Sequence, residues 1–182
     1  MKTISDHVLD IVQNSVRAGA TLIEIIVNED KKNNLYALTI NDNGCGMSRE
    51  VLEQAVHPFF TSRSTRKVGL GLPLLKQNAE AAAGSFDIQS EPGKGTSVTA
   101  IFRHRHLDRP PLGDIWETWY LTMLGYPRIR LVYKHQTQKG LTEVDSNVIK
   151  EMLDGIPPRQ KEMKQAIIEW IKNSLIEIEA SS

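Results

Sequence analysis

The sequence predicts an α+β protein in which helices cover one face of a mixed sheet and form a two-layer sandwich. Two observations predict this class. Four short segments rich in β-branched and apolar residues have the length of strands, at 21–27, 35–40, 85–90 and 96–102. Longer segments with apolar residues at helical spacing stand before the first strand pair and between the two pairs.

The first element is an amphipathic helix over residues 5–18. Ser5 or Asp6 is predicted to cap its start, and Gly19 is predicted to end it. Three residues at helical spacing form its predicted apolar side: Leu9, Val12 and Val16. The first two strands follow as a pair, joined by the polar loop NEDKKNN.

The middle of the domain is predicted to contain two helices and a long loop. Ser48 is expected to cap the short helix REVLEQAV, which leads into a polar and basic loop over residues 57–69. A helix over residues 70–83 begins with glycines and carries Pro73 in its first turn, where the missing N–H costs little. The turn EPGKG joins the last two strands of the domain.

The composition changes after Phe102, where Pro110 and Pro111 fit neither a helix interior nor a central strand. We therefore predict a first domain over residues 1–104 and a smaller α/β appendage over residues 105–182. The appendage should contain a helix, two strands and two helices, at 112–124, 128–136, 141–144, 146–154 and 159–178. An apolar stripe in its last helix is typical of a core face, with a partner-binding face as the alternative: Ile167, Ile168, Ile171, Leu175 and Ile178.

The composition limits the classes of function. The chain has 182 residues, of which 40% are hydrophobic and 24% charged, as in ordinary globular proteins. Its 22 basic and 22 acidic residues cancel, which argues against a nucleic-acid-binding protein. The single cysteine, Cys45, permits no intramolecular disulfide, and no apolar run approaches the roughly 20 residues that span a bilayer. With no signal peptide in the first residues, these features predict a cytoplasmic protein.

The first helix carries a candidate catalytic face. Asp10, Asn14 and Arg17 are spaced four and three residues apart, which places them on one side of the helix. A carboxylate beside an amide could hold Mg²⁺ through oxygen and polarise a water molecule. The alternative is an ordinary solvated helix face.

The segment DNGCGM follows the second strand. Asp42 could accept a hydrogen bond from an exocyclic amine, and Gly44 and Gly46 would let a flat ring lie close to the backbone. The alternative is a tight turn, because Asn-Gly is a strong turn signal.

Further candidate positions lie in later loops. Gly69 and Gly71 begin a helix, whose free N–H groups could bind an anion. Arg63, Arg66 and Lys67 precede them and would suit a polyphosphate, with a solvated loop as the alternative. At the end of the last strand of the first domain, three residues are interpreted as ordinary polar residues, with a metal site as the alternative: His104, His106 and Asp108.

These motifs, in this order, resemble the GHKL superfamily of ATP-binding domains, which includes gyrase B subunits, heat-shock chaperone ATPases, histidine kinases and MutL-type repair proteins. DIVQNSVRAGATLIEI resembles the N-box, DNGCGM and GLGLPLLK the two glycine boxes, HPFFTSRS the F-box, and SEPGKGTSVTAIF the closing strand pair. The resemblance covers residues 1–103 and implies a Bergerat ATP-binding fold.

The resemblance also implies roles for the matching residues. Asn14 would ligate Mg²⁺ at the ATP phosphates, and Asp10 would be the catalytic base. Asp42 would accept the adenine amino hydrogen, Thr96 and a water would complete recognition, and loop 57–69 would be the ATP lid. The other implied nucleotide-binding positions are Arg17, Gly44, Gly46, Met47, Phe60, Arg63, Lys67, Gly69, Leu70, Gly71 and Leu72.

We therefore expect a stand-alone, Mg-ATP-binding regulatory ATPase or protein kinase of bacterial signalling, with ATP or ADP, a protein partner and a homodimer as its interactions. Hydrolysing relatives carry glutamate where this chain has the shorter Asp10, so a non-catalytic, ATP-gated binding module is the alternative. A MutL-like DNA-associated ATPase is a third hypothesis, against which the zero net charge argues. The tail resembles the appendage of small ATP-binding proteins that anaerobic bacteria often encode near iron-only hydrogenase genes.

Overall fold

The computed structural model describes residues 1–56 and 70–181. Within these residues the helices are α1 (Ile4–Arg17), α2 (Arg49–Ala55), α3 (Gly71–Ala81), α4 (Ile115–Gly125), α5 (Ser146–Met152) and α6 (Lys161–Glu177). The strands are β1 (Leu22–Asp30), β2 (Leu35–Asp42), β3 (Ser85–Glu91), β4 (Gly95–Arg103), β5 (Arg130–Gln136) and β6 (Leu141–Asp145). The predicted elements are therefore present in the predicted order.

The strands form one mixed sheet in the order β3-β4-β2-β1-β5-β6. Strands β1 and β5 are parallel, and the other neighbours are antiparallel. Buried side chains alternate along β1 and β2, so one face of the sheet carries the core under the helices. The predicted fold class, an α+β sandwich with helices on one face of a mixed sheet, is confirmed.

The apolar side of α1 differs from the prediction. Its buried residues are Ile4, Ser5, His7, Val8, Ile11, Val12 and Ser15. Val12 was predicted to be on this side, whereas Leu9 is 40% exposed and Val16 is only partly buried. The predicted stripe was therefore rotated by part of a turn, because it omitted the apolar residues at positions 4, 8 and 11, whose side chains complete the packed face.

The start of α1 is also corrected. Thr3, not Ser5 or Asp6, is the N-cap residue, and its side chain accepts a hydrogen bond from the backbone N–H of Asp6 at 3.1 Å. The Asp6 carboxylate accepts the backbone N–H of Thr3 in return, also at 3.1 Å, which completes a capping box. Ser48 caps α2 as predicted, accepting from the N–H of Val51.

The C-terminal segment, residues 105–182, adds strands β5 and β6 to the sheet formed by the first segment, residues 1–104. Strand β5 pairs with β1 along seven residues, from Leu22 opposite Arg130 to Asn28 opposite Gln136. The N–H groups of Ile4 and Ser5 donate to the carbonyls of Pro111 and Leu112, so the start of α1 is bonded to the connecting segment. The apolar stripe predicted in the last helix is buried in the common core. The division at residues 104 and 105 stays a prediction from composition.

A buried polar cluster joins the two segments at one end of the sheet. Glu29 accepts hydrogen bonds from His135 Nε2 at 2.8 Å and from the Ser181 N–H at 2.7 Å, and its other oxygen bonds His104 Nε2 at 2.9 Å. Tyr133 Oη lies 2.6 Å from His135 Nδ1. Burial opposes ionisation of Glu29, but these hydrogen bonds outweigh it and hold the pKa of the carboxyl below its usual range.

The geometry of the described residues does not support a metal site at His104, His106 and Asp108, after the end of β4. His104 bonds Glu29, whereas His106 Nδ1 lies 3.7 Å from the Asp108 carboxylate. In the described ranges, no group of three histidine, cysteine or acidic residues is arranged to hold a metal ion. Across the same ranges, none of the helices has both the length and the apolarity that crossing a membrane requires.

Candidate functional site

Helix α1 presents a carboxylate and an amide side by side. Asn14 Nδ2 lies 3.5 Å from Asp10 Oδ2, and Arg17 donates to Asn14 Oδ1 at 3.0 Å. Asp10 is half-buried, while Asn14 and Arg17 are exposed. The three predicted residues therefore lie on one face of α1 and are linked in a row by these polar contacts. Its oxygen atoms are the donor type that Mg²⁺ prefers, so the residues fit this ion once Arg17 releases the amide oxygen of Asn14.

The start of α3 lies directly against this row. A Cβ atom added to Gly71 would lie 1.7 Å from Asp10 Oδ2 and 2.6 Å from its carboxyl carbon. Only glycine therefore lets the first turn of α3 approach the carboxylate this closely. The N–H groups of this turn lack helical partners and point toward incoming anions. Leu70 precedes the helix at its N-cap position, and Leu72 packs partly against the core.

Asp42, at the end of β2, is fixed by two hydrogen bonds. Ser15 Oγ donates to its Oδ2 at 2.6 Å, and the N–H of Gly44 donates to its Oδ1 at 2.9 Å. Each carboxylate oxygen has two lone pairs, so Asp42 can still accept a further hydrogen bond from a ligand. Ser15 was not among the site residues predicted from the sequence. Its signal was a polar residue in phase with the buried stripe of α1.

A row of hydroxyl groups continues from Asp42 across the sheet. Thr96 on β4 stands opposite Asp42, and Ser90 on β3 stands opposite Thr96. Ser90 Oγ donates to the carbonyl of Gly95 at 2.9 Å, accepts from the N–H of Met47 at 2.8 Å and lies 3.0 Å from Thr96 Oγ1. Because Ser90 has one hydroxyl proton, Thr96 must donate to it. The oxygen of Thr96 is then an acceptor for a ligand N–H or a water.

The two glycines after Asp42 have packing reasons in the structure. A Cβ atom on Gly44 would lie 2.8 Å from the Cβ of Ala18. Gly46 has φ of +65°, and a Cβ atom there would lie 2.0 Å from the carbonyl oxygen of Glu91. Both glycines thus let the loop pack against neighbouring backbone. Their contact with a base stays a prediction.

The predicted site residues converge from four segments. Asp10, Asn14 and Arg17 lie on α1, Asp42 ends β2 and Gly44 to Met47 follow it, Leu70 directly precedes Gly71 and Leu72 of α3, and Thr96 is the second residue of β4. Five further candidates lie outside the described residues: Phe60, Arg63, Arg66, Lys67 and Gly69. The described part combines an acceptor pair near the end of the sheet with an acid and amide under a helix N-terminus. This arrangement can bind an amine-bearing ring at one end and a metal-complexed anion at the other.

Residues 2–106 match the family described as histidine kinase-, DNA gyrase B- and HSP90-like ATPases, HATPase_c. This chain belongs to that family. The match covers more than half of the chain and includes every residue predicted to bind the nucleotide, and it confirms the predicted GHKL membership. The HATPase_c family binds ATP, so the chain is a histidine-kinase-like, ATP-binding protein.

Relatives of this HATPase_c protein include bacterial signalling proteins. One relative is a protein of Shewanella frigidimarina, provisionally named a sensor protein. It is 38% identical to this chain over 96 residues, which are 52% of this chain and 15% of the relative's length. The cell-division control histidine kinase PdhS of Brucella ovis is 34% identical over 115 residues, 56% of this chain and 11% of its own length. The chain therefore spans only a small part of the length of these relatives.

A solved structure supports the fold of this HATPase_c protein. The N-terminal domain of a DNA repair protein superimposes with a TM-score of 0.52 and 17% sequence identity. The similarity covers 80% of this chain and 52% of that one, so it extends beyond the segment that the family matches. At this identity the likeness shows the fold alone.

His7, three residues before Asp10 on α1, forms a hydrogen bond to α3. Its side chain is fully buried, and its Nε2 lies 2.8 Å from Asn78 Nδ2. Burial lowers the pKa of His7 to about 4 from 6.5, so the imidazole is neutral near neutral pH.

We expect His7 to make the folded protein less stable as the pH falls from about 7.5 to about 5. In the unfolded chain His7 binds a proton near pH 6.5, whereas in the folded chain it does so only near pH 4. The stability that depends on neutral His7 is therefore present above the unfolded pKa and is lost as the pH falls below it. The loss should reach about 2 kcal/mol at about pH 5. Urea unfolding of His7→Gln should show this part of the pH dependence removed.

A matched variant is His106→Gln, since His106 is only partly buried. This variant should keep the wild-type pH dependence. Identical pH dependence in wild type and His7→Gln would contradict the assigned shift.

Proposed function

We propose that this protein is a Mg-ATP-dependent regulatory ATPase or protein kinase that acts on a protein partner. The observation that carries the proposal is the contact of Asp10, beside Asn14, with the first residue of α3. An acid, an amide that could hold Mg²⁺ and a helix N-terminus at one place would suit the transfer of a phosphoryl group, which depends on positioning and on charge stabilisation. Family membership and histidine-kinase relatives support the same reaction class.

Each residue has a distinct part in this proposal. Asp42, held by Ser15 and Gly44, would accept the exocyclic amine of adenine, and Thr96 would accept from a water or a base N–H. Asn14 would hold Mg²⁺, which neutralises the charge of the phosphates when bound. Asp10 would orient the attacking water or hydroxyl and accept its proton.

The first test of the proposal measures ATP binding and the release of labelled γ-phosphate with Mg²⁺. Wild-type protein should bind Mg-ATP, and Asn14→Ala should reduce phosphate release at least about tenfold, because removing a metal ligand weakens the metal site. The neighbouring Gln13→Ala is the control and should behave as wild type. Wild-type protein that fails to bind Mg-ATP would overturn the proposal.

Asp10→Asn distinguishes an enzyme from a non-catalytic, ATP-gated module. Asparagine keeps the size of the side chain and removes its basic oxygen. If Asp10 is the base, phosphoryl transfer falls at least about a hundredfold while Mg-ATP is still bound. Transfer activity that Asp10→Asn leaves unchanged would remove Asp10 from the mechanism. ATP that binds but stays intact with every partner offered would favour the module, in which ATP changes the affinity for a partner.

The partner and the compartment belong to the same proposal. Histidine-kinase relatives support a protein as the partner, and the single cysteine agrees with a cytoplasmic protein. The expected homodimer stays a prediction.

A further inference from the structure

Two contacts join α3 to α1, in addition to the packing of Leu75 and Ala79 of α3 in the core. The first is the close packing of Gly71 on Asp10, and the second is the hydrogen bond between His7 and Asn78. Gly71 and Asn78 are seven residues apart, which is about two turns on one face of α3 and about 10 Å along its axis. The hydrogen bond therefore adds a second fixed distance between the two helices, about two turns from the first.

The chemistry of the second contact is unusual for a contact that only fills space. His7 is fully buried and its Nδ1 has no hydrogen-bond partner in the described part of the chain. An unpaired buried nitrogen costs free energy, whereas two apolar side chains of similar size would pack here without that cost. A hydrogen bond, however, has a preferred length and direction, which apolar packing lacks. Compared with two apolar side chains, the His7–Asn78 pair is therefore expected to stabilise the fold less but to define the position of α3 more closely.

The position of α3 determines where its first N–H groups lie relative to Asp10 and Asn14. These groups are the part of the site that faces an anion, while Asp42 and Thr96 lie at the end of the sheet and contact neither His7 nor Asn78 in the described residues. A shift of α3 would therefore affect the phosphate end of the site and leave the adenine end unchanged.

We propose that the His7–Asn78 hydrogen bond positions the first turn of α3 over Asp10 and Asn14 and so sets the affinity for the phosphate part of the nucleotide. His7 and Asn78 are positioning residues, because they act through α3 and touch no ligand. This inference rests on the proposed nucleotide-binding function.

The test replaces both residues by leucine and measures binding calorimetrically with two probes, Mg-ATP and adenosine. His7→Leu with Asn78→Leu should weaken Mg-ATP binding at least about tenfold, the expected effect of losing one charge-assisted contact to phosphate. Adenosine, which lacks phosphates, should bind as it does to wild type. Urea unfolding should show a stability equal to or above that of wild type, which a merely structural role for the bond would not produce.

Two further variants make the test decisive. Gln77→Leu, at the exposed neighbouring position of α3, is the matched control and should bind both probes as wild type does. His7→Gln keeps a side-chain amide that can bond Asn78 and should retain most of the Mg-ATP affinity. If the double leucine variant does not fold, Asn78→Ala, which removes the bond with a smaller change at a half-buried position, should show the same selective loss.

The outcomes separate this inference from the proposed function. Wild-type protein that binds neither Mg-ATP nor adenosine would overturn the proposed function, and this inference with it. Wild-type binding together with a folded variant of unchanged Mg-ATP affinity would overturn the inference alone. A parallel loss of Mg-ATP and adenosine binding would also overturn it, because the defect would then not be confined to the phosphate end.

Discussion

Replacing Glu29 with alanine is expected to lower the free energy of unfolding by about 3–5 kcal/mol. The Glu29 side chain is fully buried, and its carboxylate accepts hydrogen bonds from the Ser181 N–H and from His135. Alanine would leave the fully buried His135 without this partner and would remove the acceptor of the Ser181 N–H. Urea unfolding at neutral pH measures the effect.

A matched control lies on the same strand. Glu24 of β1 faces the other side of the sheet, is 30% exposed and lies 3.4 Å from Lys134. Exposed ion pairs contribute little, so Glu24→Ala should cost at most about 1 kcal/mol. Equal losses in the two variants would contradict the assigned role of the buried cluster.

Replacing Gly95 with alanine is expected to lower the free energy of unfolding by about 3–5 kcal/mol and to abolish Mg-ATP binding. Gly95 has φ of +96°, and a Cβ atom there would lie 1.9 Å from the carbonyl oxygen of Asp42. That oxygen is backbone and cannot move aside without shifting Asp42, the residue proposed to bind adenine. Urea unfolding and calorimetric titration with Mg-ATP measure the two effects.

Gly93, in the same turn, provides a control that separates the cost of backbone strain from the cost of a steric clash. It also has a positive φ, +77°, but a Cβ atom there would meet nothing within 4 Å. Gly93→Ala should therefore cost only the backbone strain, about 1–2 kcal/mol, and should retain Mg-ATP binding. The account of Gly95 is wrong if the two alanine variants are equally stable and bind equally well.

Local patterns were sufficient for most elements and for part of the site. Runs of β-branched and apolar residues located β1 and β2, although β1 extends three residues beyond its predicted end, and the motif order predicted the family that the comparison confirmed. The N-cap of α2 was also predicted, because capping depends on residues adjacent in the chain. The phase of α1 was wrong at Leu9, since a helix face is defined by what packs on it, and the sequence does not show which neighbours do so.

The sequence by itself determined the element order, the family and the position of Asp10, Asn14 and Asp42 in their motifs. Only the tertiary structure decided which hydroxyl groups support Asp42, because Ser15 lies 27 residues away along the chain. Only the tertiary structure joined β5 to β1 and enclosed Glu29 with His104 and His135, which lie far from it along the chain. The physical reason is the same in each case. Motifs and periodicity report interactions within a few residues, whereas hydrogen bonds and packing between distant segments depend on a fold that no local pattern specifies.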